Sequence, residues 1–245
     1  MFELDENIPG TACSVKVAGI GKARASLDKF LTKTNIPLLT EDATVPKSWT
    51  GTGVGFLVAD ASEKNAWDNI QKVLQATKKQ NVLSITLLIT ETPPLMADGI
   101  MWVNPNNFAS DTELYDYIGK SILSIQSIIS QPGLVNLDLE DVKGLFNGSG
   151  HLGFTYGEYT ATADKRTAVQ QALQTLTSLG VAPRSGKFMI LNITGSEDHL
   201  SMFEICEISE LIHDSFGTDD CSIIWGATID NALANKIRVS LWVKY

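Results

Sequence analysis

The sequence predicts an α/β protein in three parts: a reduced Rossmann-like lobe over 1–109, a long central helix over 110–131, and an α+β lobe over 132–245. Three observations carry this. β-prone apolar runs alternate with amphipathic helical runs through the first hundred residues, as in a parallel sheet with crossover helices. One of those runs, VLSITLLIT (82–90), is apolar almost throughout, the pattern of a strand buried on both faces. The segment SDTELYDYIGKSILSIQSIISQ (110–131) keeps an apolar stripe at 114, 118, 122, 125 and 129 until Pro132-Gly133 stops it.

Taken in order, ACSVKVAG (12–19) alternates and reads as a first strand, Gly19-Ile20-Gly21 as a turn, and 22–33 as a helix. Residues 34–53 are polar and broken by Pro37 and Pro46, which predicts loop or short irregular strands. GVGFLVAD (53–60) is a buried strand. The amphipathic run 62–80 is a helix that Ser62 is placed to cap. After the strand 82–90, DGIMWVN (98–104) is one more. In the central helix Ser110 and Glu113 have capping-box spacing, and at about 1.5 Å per residue the helix is about 33 Å long. Beyond it, LVNLDLEDVKGLF predicts a loop and a short helix. Strands at 152–160, 187–194, 221–229 and 237–245 then alternate with helices at 162–180 and 201–216.

Composition excludes several classes of function. A net charge of −9 argues against general nucleic-acid binding and against an anionic membrane surface. No apolar run reaches 18 residues, so no direct membrane insertion is expected. MFELDENIPG lacks the apolar core of a signal peptide. Three cysteines (Cys13, Cys206, Cys221) without CxxC spacing predict reduced, buried thiols in a cytoplasmic protein, and three scattered histidines argue against a His-based metal site. Glu204 and Glu207 are expected on a solvated helix face. Thr50-Gly51-Thr52-Gly53 precedes its strand and reads as a plain turn. Gly19-Ile20-Gly21 has Arg24 where a third glycine would complete a dinucleotide fingerprint. Lys22 and Arg24 leave room for an anion there beside the reading as a tight turn.

The acids of LVNLDLEDV (134–142) pose the main question. Asp138 and Asp141 sit where they would favour the positive end of a helix over 139–146. Alternatively, they face something that needs negative charge.

Longer motifs carry a family resemblance. QPGLVNLDLEDV (131–142) resembles the segment that follows the central helix of FtsZ, the bacterial relative of tubulin. LNITGSEDHLSMFEICEISELI (191–212) is similar to an FtsZ strand ending in Asn-Ile-Thr-Gly and its following helix. SIIWGATIDNALANKIRVSLWV (222–243) resembles the FtsZ strand, Asp-containing loop and last strand. Order and spacing agree from about residue 98 onward. The resemblance implies an FtsZ/tubulin-like fold. It also implies that Asn136, Asp138 and Asp141, at the spacing N-x-D-x-x-D, enter the nucleotide pocket of the next subunit and polarise the attacking water. Gly19, Gly21 and Lys22 would fall at its own phosphate site, and Asp116 near the base.

The front third departs from the family. FtsZ has a longer glycine run after its first strand and GGGTGTG after a later one; here the second place reads FLVADASEKNAW. A phosphate cradle needs glycines so that successive N–H groups converge on oxygens. Asp60 and Glu63 would instead face a triphosphate. Like charges 4 Å apart cost about 1 kcal/mol in water and about 4 kcal/mol at an effective dielectric near 20.

The expectation is a degenerate FtsZ-like protein without a cofactor of its own. It would associate with itself or with an FtsZ-type partner, end to end through residues 134–142. The alternatives are a divergent GTPase that polymerises and uses GTP/GDP with Mg²⁺ at the subunit interface, and a paralogue that assembles without nucleotide. The FtsZ tail that recruits membrane adaptors has no counterpart after Tyr245, so that route to the membrane is not expected.

Overall fold

The computed structural model describes residues 14–31, 36, 38–93, 99–131, 133–148, 150–182, 185–216 and 221–245. Among them, nine strands form one sheet. The first half runs β1 (Ser14–Ile20), α1 (Lys22–Leu31), β2 (Thr52–Asp60), α2 (Ala66–Lys78), β3 (Leu83–Ile89), β4 (Ile100–Val103) and α3 (Asp111–Ser130). The second half runs β5 (Gly133–Val135), α4 (Leu139–Phe146), β6 (Leu152–Thr160), α5 (Arg166–Ser178), β7 (Phe188–Gly195), α6 (Met202–Phe216), β8 (Ser222–Ile229) and β9 (Lys236–Lys244). The sheet order is β1-β2-β3-β4-β6-β9-β7-β8-β5. β1 to β4 are parallel, whereas β9 runs antiparallel to both β6 and β7. Among the described residues the halves meet in the sheet at one pair, Met101 with Leu152.

The apolar runs are explained by two-sided burial. Val15 and Val17 of β1, Val54, Phe56 and Val58 of β2, and Ile85 and Leu87 of β3 share a core with α1, α3 and α4. The alternating residues Ala18, Ile20, Leu57, Ala59 and Leu88 pack on the other face with α2 and Trp49. A further cluster lies under α5 and α6.

α3 is the element common to both halves. Its 20 residues span about 30 Å. Its apolar stripe (Leu114, Ile118, Ile122, Ile125, Ile128) closes the first core. Its serines meet the second half of the sheet: Trp242 Nε1 donates to Ser124 Oγ (2.8 Å), and Asn192 Nδ2 donates to Ser127 Oγ (2.9 Å) and to the Ser124 carbonyl (3.3 Å). Thr228 Oγ1 donates to Asn192 Oδ1 (3.1 Å), so the amide is used at both ends.

Several expectations are corrected. Ser62 does not cap α2: its amide and hydroxyl both turn back to Asp60 Oδ1 (2.9 and 2.7 Å), and α2 begins after Asn65 in the left-handed region (φ 65°). The Glu113 carboxylate accepts from the Ala109 amide (2.8 Å) rather than from that of Ser110, while Ser110 Oγ does accept from the Glu113 amide (3.3 Å). Residues 133–135 are a short edge strand on β8 instead of loop. Glu204 and Glu207 are not simply solvated, because Lys165 lies between them and pairs with both, and the Tyr159 hydroxyl donates to Glu204. Cys206 is exposed on the outer face of α6, and Cys221, just before β8, is half-buried against the cluster under α5 and α6; Cys13 lies outside the described residues.

The serine latch makes a stability prediction. Ser124→Ala leaves the buried Trp242 N–H without an acceptor and lowers unfolding free energy by about 1–3 kcal/mol in denaturant titrations. Ser130→Ala, on the exposed end of the same helix, stays within about 0.5 kcal/mol of the parent.

Candidate functional site: an acidic crevice and an acidic loop

After α1 the chain first steps to one side of β1, where Leu38 pairs in parallel with Val17, then returns on the other side as β2. Such a reversal is a topological switch point, where an open α/β sheet leaves a crevice beyond the carboxyl ends of its strands. A crevice of about 500 Å³ lies there, bounded by Lys22 after β1, Asp60 and Ser62 after β2, Glu91 after β3 and Asp111 at the start of α3.

Gly19 and Gly21 shape the first wall. A Cβ on Gly19 would run into the backbone of Arg24, so this glycine sets the close approach of α1 to β1 even though the third fingerprint position is Arg24. Gly21 has φ +65°, and a Cβ on it would fall on the carboxylate of Glu63. Glu63 Oε1 accepts from the Lys22 amide, the first of α1, at 2.6 Å. The Arg24 guanidinium is turned away and donates to the Thr40 carbonyl (2.9 Å).

The crevice is acidic. Among the described lining residues, Asp60, Glu91 and Asp111 are opposed by one ammonium, Lys22. Burial pushes the Tyr115 hydroxyl up from its ordinary range. The charges of Asp60, Asp111 and Glu63 act in the same direction, while a hydrogen bond with Ser26 opposes them. Asp116 lies one residue along α3, on an adjoining groove of about 670 Å³ between α1 and α3, and pairs with Lys120 at 2.8 Å. Among the described residues no three His, Cys, Asp or Glu side chains converge to hold a metal.

The acidic loop lies at the other end of α3. Asn136, Asp138 and Asp141 are all exposed. Asp138 Oδ1 accepts from the Asp141 amide (2.8 Å) and Asp141 Oδ2 accepts from the Asp138 amide (3.2 Å), a reciprocal cap on α4. Each carboxylate thus commits one oxygen to the cap and keeps a second for another donor. Lys143 pairs with Glu140.

The structure therefore gathers the predicted residues into two groups: Gly19, Gly21 and Lys22 at the crevice, and Asn136, Asp138 and Asp141 on the loop. Asp116 belongs to the groove beside the crevice. Tyr115, Asp111 and Glu91 were not singled out from the sequence. They come from α3 and the end of β3, and only the sheet order brings them beside Asp60.

This architecture, a parallel sheet with a switch-point crevice joined through one long helix to a mixed α+β half, is the FtsZ/tubulin-type fold. Solved structures of that fold superpose over most of the chain. The empty FtsZ dimer of M. jannaschii has a TM-score of 0.69 at 17% identity, covering 95% of this chain and 88% of that one. CetZ of Methanosaeta thermophila gives 0.62 at 15% identity, covering 94% and 86%. TubZ of Bacillus thuringiensis serovar israelensis, in GDP-form protofilaments, gives 0.60 at 10% identity, covering 95% and 89%.

Residues 148–244 match the model of the FtsZ family, C-terminal domain. The cell division protein FtsZ of Methanothermobacter thermautotrophicus is 33% identical over 129 residues, 52% of this chain and 33% of that protein's length. Residues 148–244 are thus of the FtsZ C-terminal-domain type, the chain spans about a third of the length of that relative, and the whole chain has the FtsZ/tubulin fold.

The capping box separates two roles of one residue. Asp138→Ala costs about 0.5–2 kcal/mol of stability, whereas Asp138→Asn, an equally good cap, stays within a few tenths, roughly, of the parent in denaturant unfolding.

Proposed function

We propose that this chain is a degenerate FtsZ-like interaction module in cell division or a related membrane-remodelling process. It associates end to end, with itself or with an FtsZ-type protein, through residues 134–142, and its own crevice does not hold a guanine nucleotide. One observation carries the reading. α3 begins at the crevice and ends at the acidic loop, so Asn136, Asp138 and Asp141 stand about 30 Å from their own crevice and are exposed. That distance puts them out of reach of the chain's own crevice and supports a role on another molecule's nucleotide, where a carboxylate oxygen would orient the attacking water.

The crevice supports the other half of the reading. A triphosphate entering it meets Asp60, Glu91 and Asp111, and the Lys22 amide already has an acceptor. The resemblance to an FtsZ dimer and to TubZ protofilaments supports end-to-end assembly. Charge favours a partner other than a second copy, because an acidic loop docking on an acidic crevice is repulsive.

The alternative is a divergent GTPase that polymerises and hydrolyses GTP with Mg²⁺ between subunits. The free second oxygens of Asp138 and Asp141 favour it equally. Isothermal titration of GTP and GDP with Mg²⁺ into the purified chain separates the two. The module gives no binding in the micromolar range, and micromolar affinity sinks it in favour of the GTPase.

A second measurement addresses the loop. Added to an FtsZ-type GTPase, the chain alters GTP turnover, and Asp138→Asn, which keeps the cap, reduces that effect at least about tenfold. An undiminished effect removes the loop from the mechanism.

A further inference from the structure

We infer that Glu63 is a tethered stand-in for a phosphate: its carboxylate occupies the anion position at the start of α1 and ties together the two loops that wall the crevice. This rests on the reading of the crevice as degenerate and adds the residue that closes it.

Three features place the carboxylate. The first N–H of a helix has no partner within the helix and carries the positive end of its dipole, so it binds anions. The Lys22 N–H is that group in α1, and the Glu63 carboxylate accepts from it at 2.6 Å, the length of a strong charge-assisted bond. Gly21 is the second feature. Its backbone is left-handed (φ +65°), and its missing Cβ leaves the space that the carboxylate fills. The third is the origin of the two groups. Lys22 follows β1 and Glu63 follows β2, on opposite sides of the switch point. The turn that carries Glu63 is itself held, by the Glu63 amide on the Asp60 carbonyl (3.2 Å) and the Ala66 amide on the Glu63 carbonyl (3.1 Å). At the start of a helix this is the place that an oxyanion ligand would take, and here a side chain of the protein holds it. The two walls are thereby joined through a group of the protein itself.

The test compares the full chain with Glu63→Ala and Glu63→Gln. Isothermal titration with pyrophosphate and with GDP is paired with the ¹⁵N–¹H resonance of the Lys22 amide. The parent shows a Lys22 amide shifted far downfield by its carboxylate acceptor. Both variants move it upfield and bind pyrophosphate at least about tenfold more tightly than the parent, because the competing internal anion is gone. A folded Glu63→Ala protein with an unmoved Lys22 amide, or with no gain in pyrophosphate affinity, overturns the assignment. Should Glu63→Ala fail to fold, Glu63→Gln has the same shape without the charge and carries both readouts. Micromolar GDP binding by the parent overturns the degenerate-crevice reading instead. The comparison between parent and variant still decides the part played by Glu63.

Discussion

The seating of α3 is the constraint on which the rest of the structure depends. Its apolar stripe closes the core beneath the parallel strands, and its serines face the mixed half of the sheet. The hydroxyls of Ser124 and Ser127 have two partners each. Ser121, Ser124 and Ser127 donate back to carbonyls three residues earlier in the helix (2.7, 2.7 and 3.1 Å), which leaves their lone pairs for incoming donors. Trp242 and Asn192 supply those donors from β9 and β7. A buried hydrogen bond is directional, so it fixes the rotation and axial position of the helix in a way that apolar packing alone does not. Because the crevice lies at one end of α3 and the acidic loop at the other, that register also sets the distance between them.

The two ends carry the same sign of charge for different structural reasons. On the loop, Asp138 and Asp141 belong where they are for the sake of α4, whose first amides they cap. Their availability to a partner is a by-product of exposure, since a cap uses only one of two carboxylate oxygens. In the crevice, Glu63 is held by an amide while Asp60 is spent on the turn at Ser62. A nucleotide site of this fold needs backbone amides aimed inward with no competing acceptor. Here the turn after β2 spends its hydrogen bonds on itself and on the start of α1.

Much of the fold was legible along the chain. β2, β6 and β7 fall within a residue or two of where the apolar runs place them, because a strand that must be buried leaves an unbroken or alternating pattern. The stop at Pro132-Gly133 and the Ser110 cap bracket α3 for equally local reasons. Less local features escaped. β5 is too short for a periodic signal and exists only because β8 offers an edge. Glu204 and Glu207 look like a solvated helix face until Lys165, some forty residues earlier, is folded between them. Ser62 has the composition of a cap, yet Asp60 two residues before it competes for its hydroxyl and amide.

The candidate site divides along the same line. From residue order alone came the glycines after the first strand, the acids where a glycine-rich loop would be, and the Asn136, Asp138, Asp141 spacing, because each is a property of a few neighbouring residues. Only the tertiary structure could bring Glu63 to the Lys22 amide and Asp111 and Glu91 beside Asp60. Those relations join segments tens of residues apart, and they are settled by strand order, by the left-handed turn at Gly21 and by the hydrogen bonds that hold α3 in register, none of which leaves a mark in any short stretch of sequence.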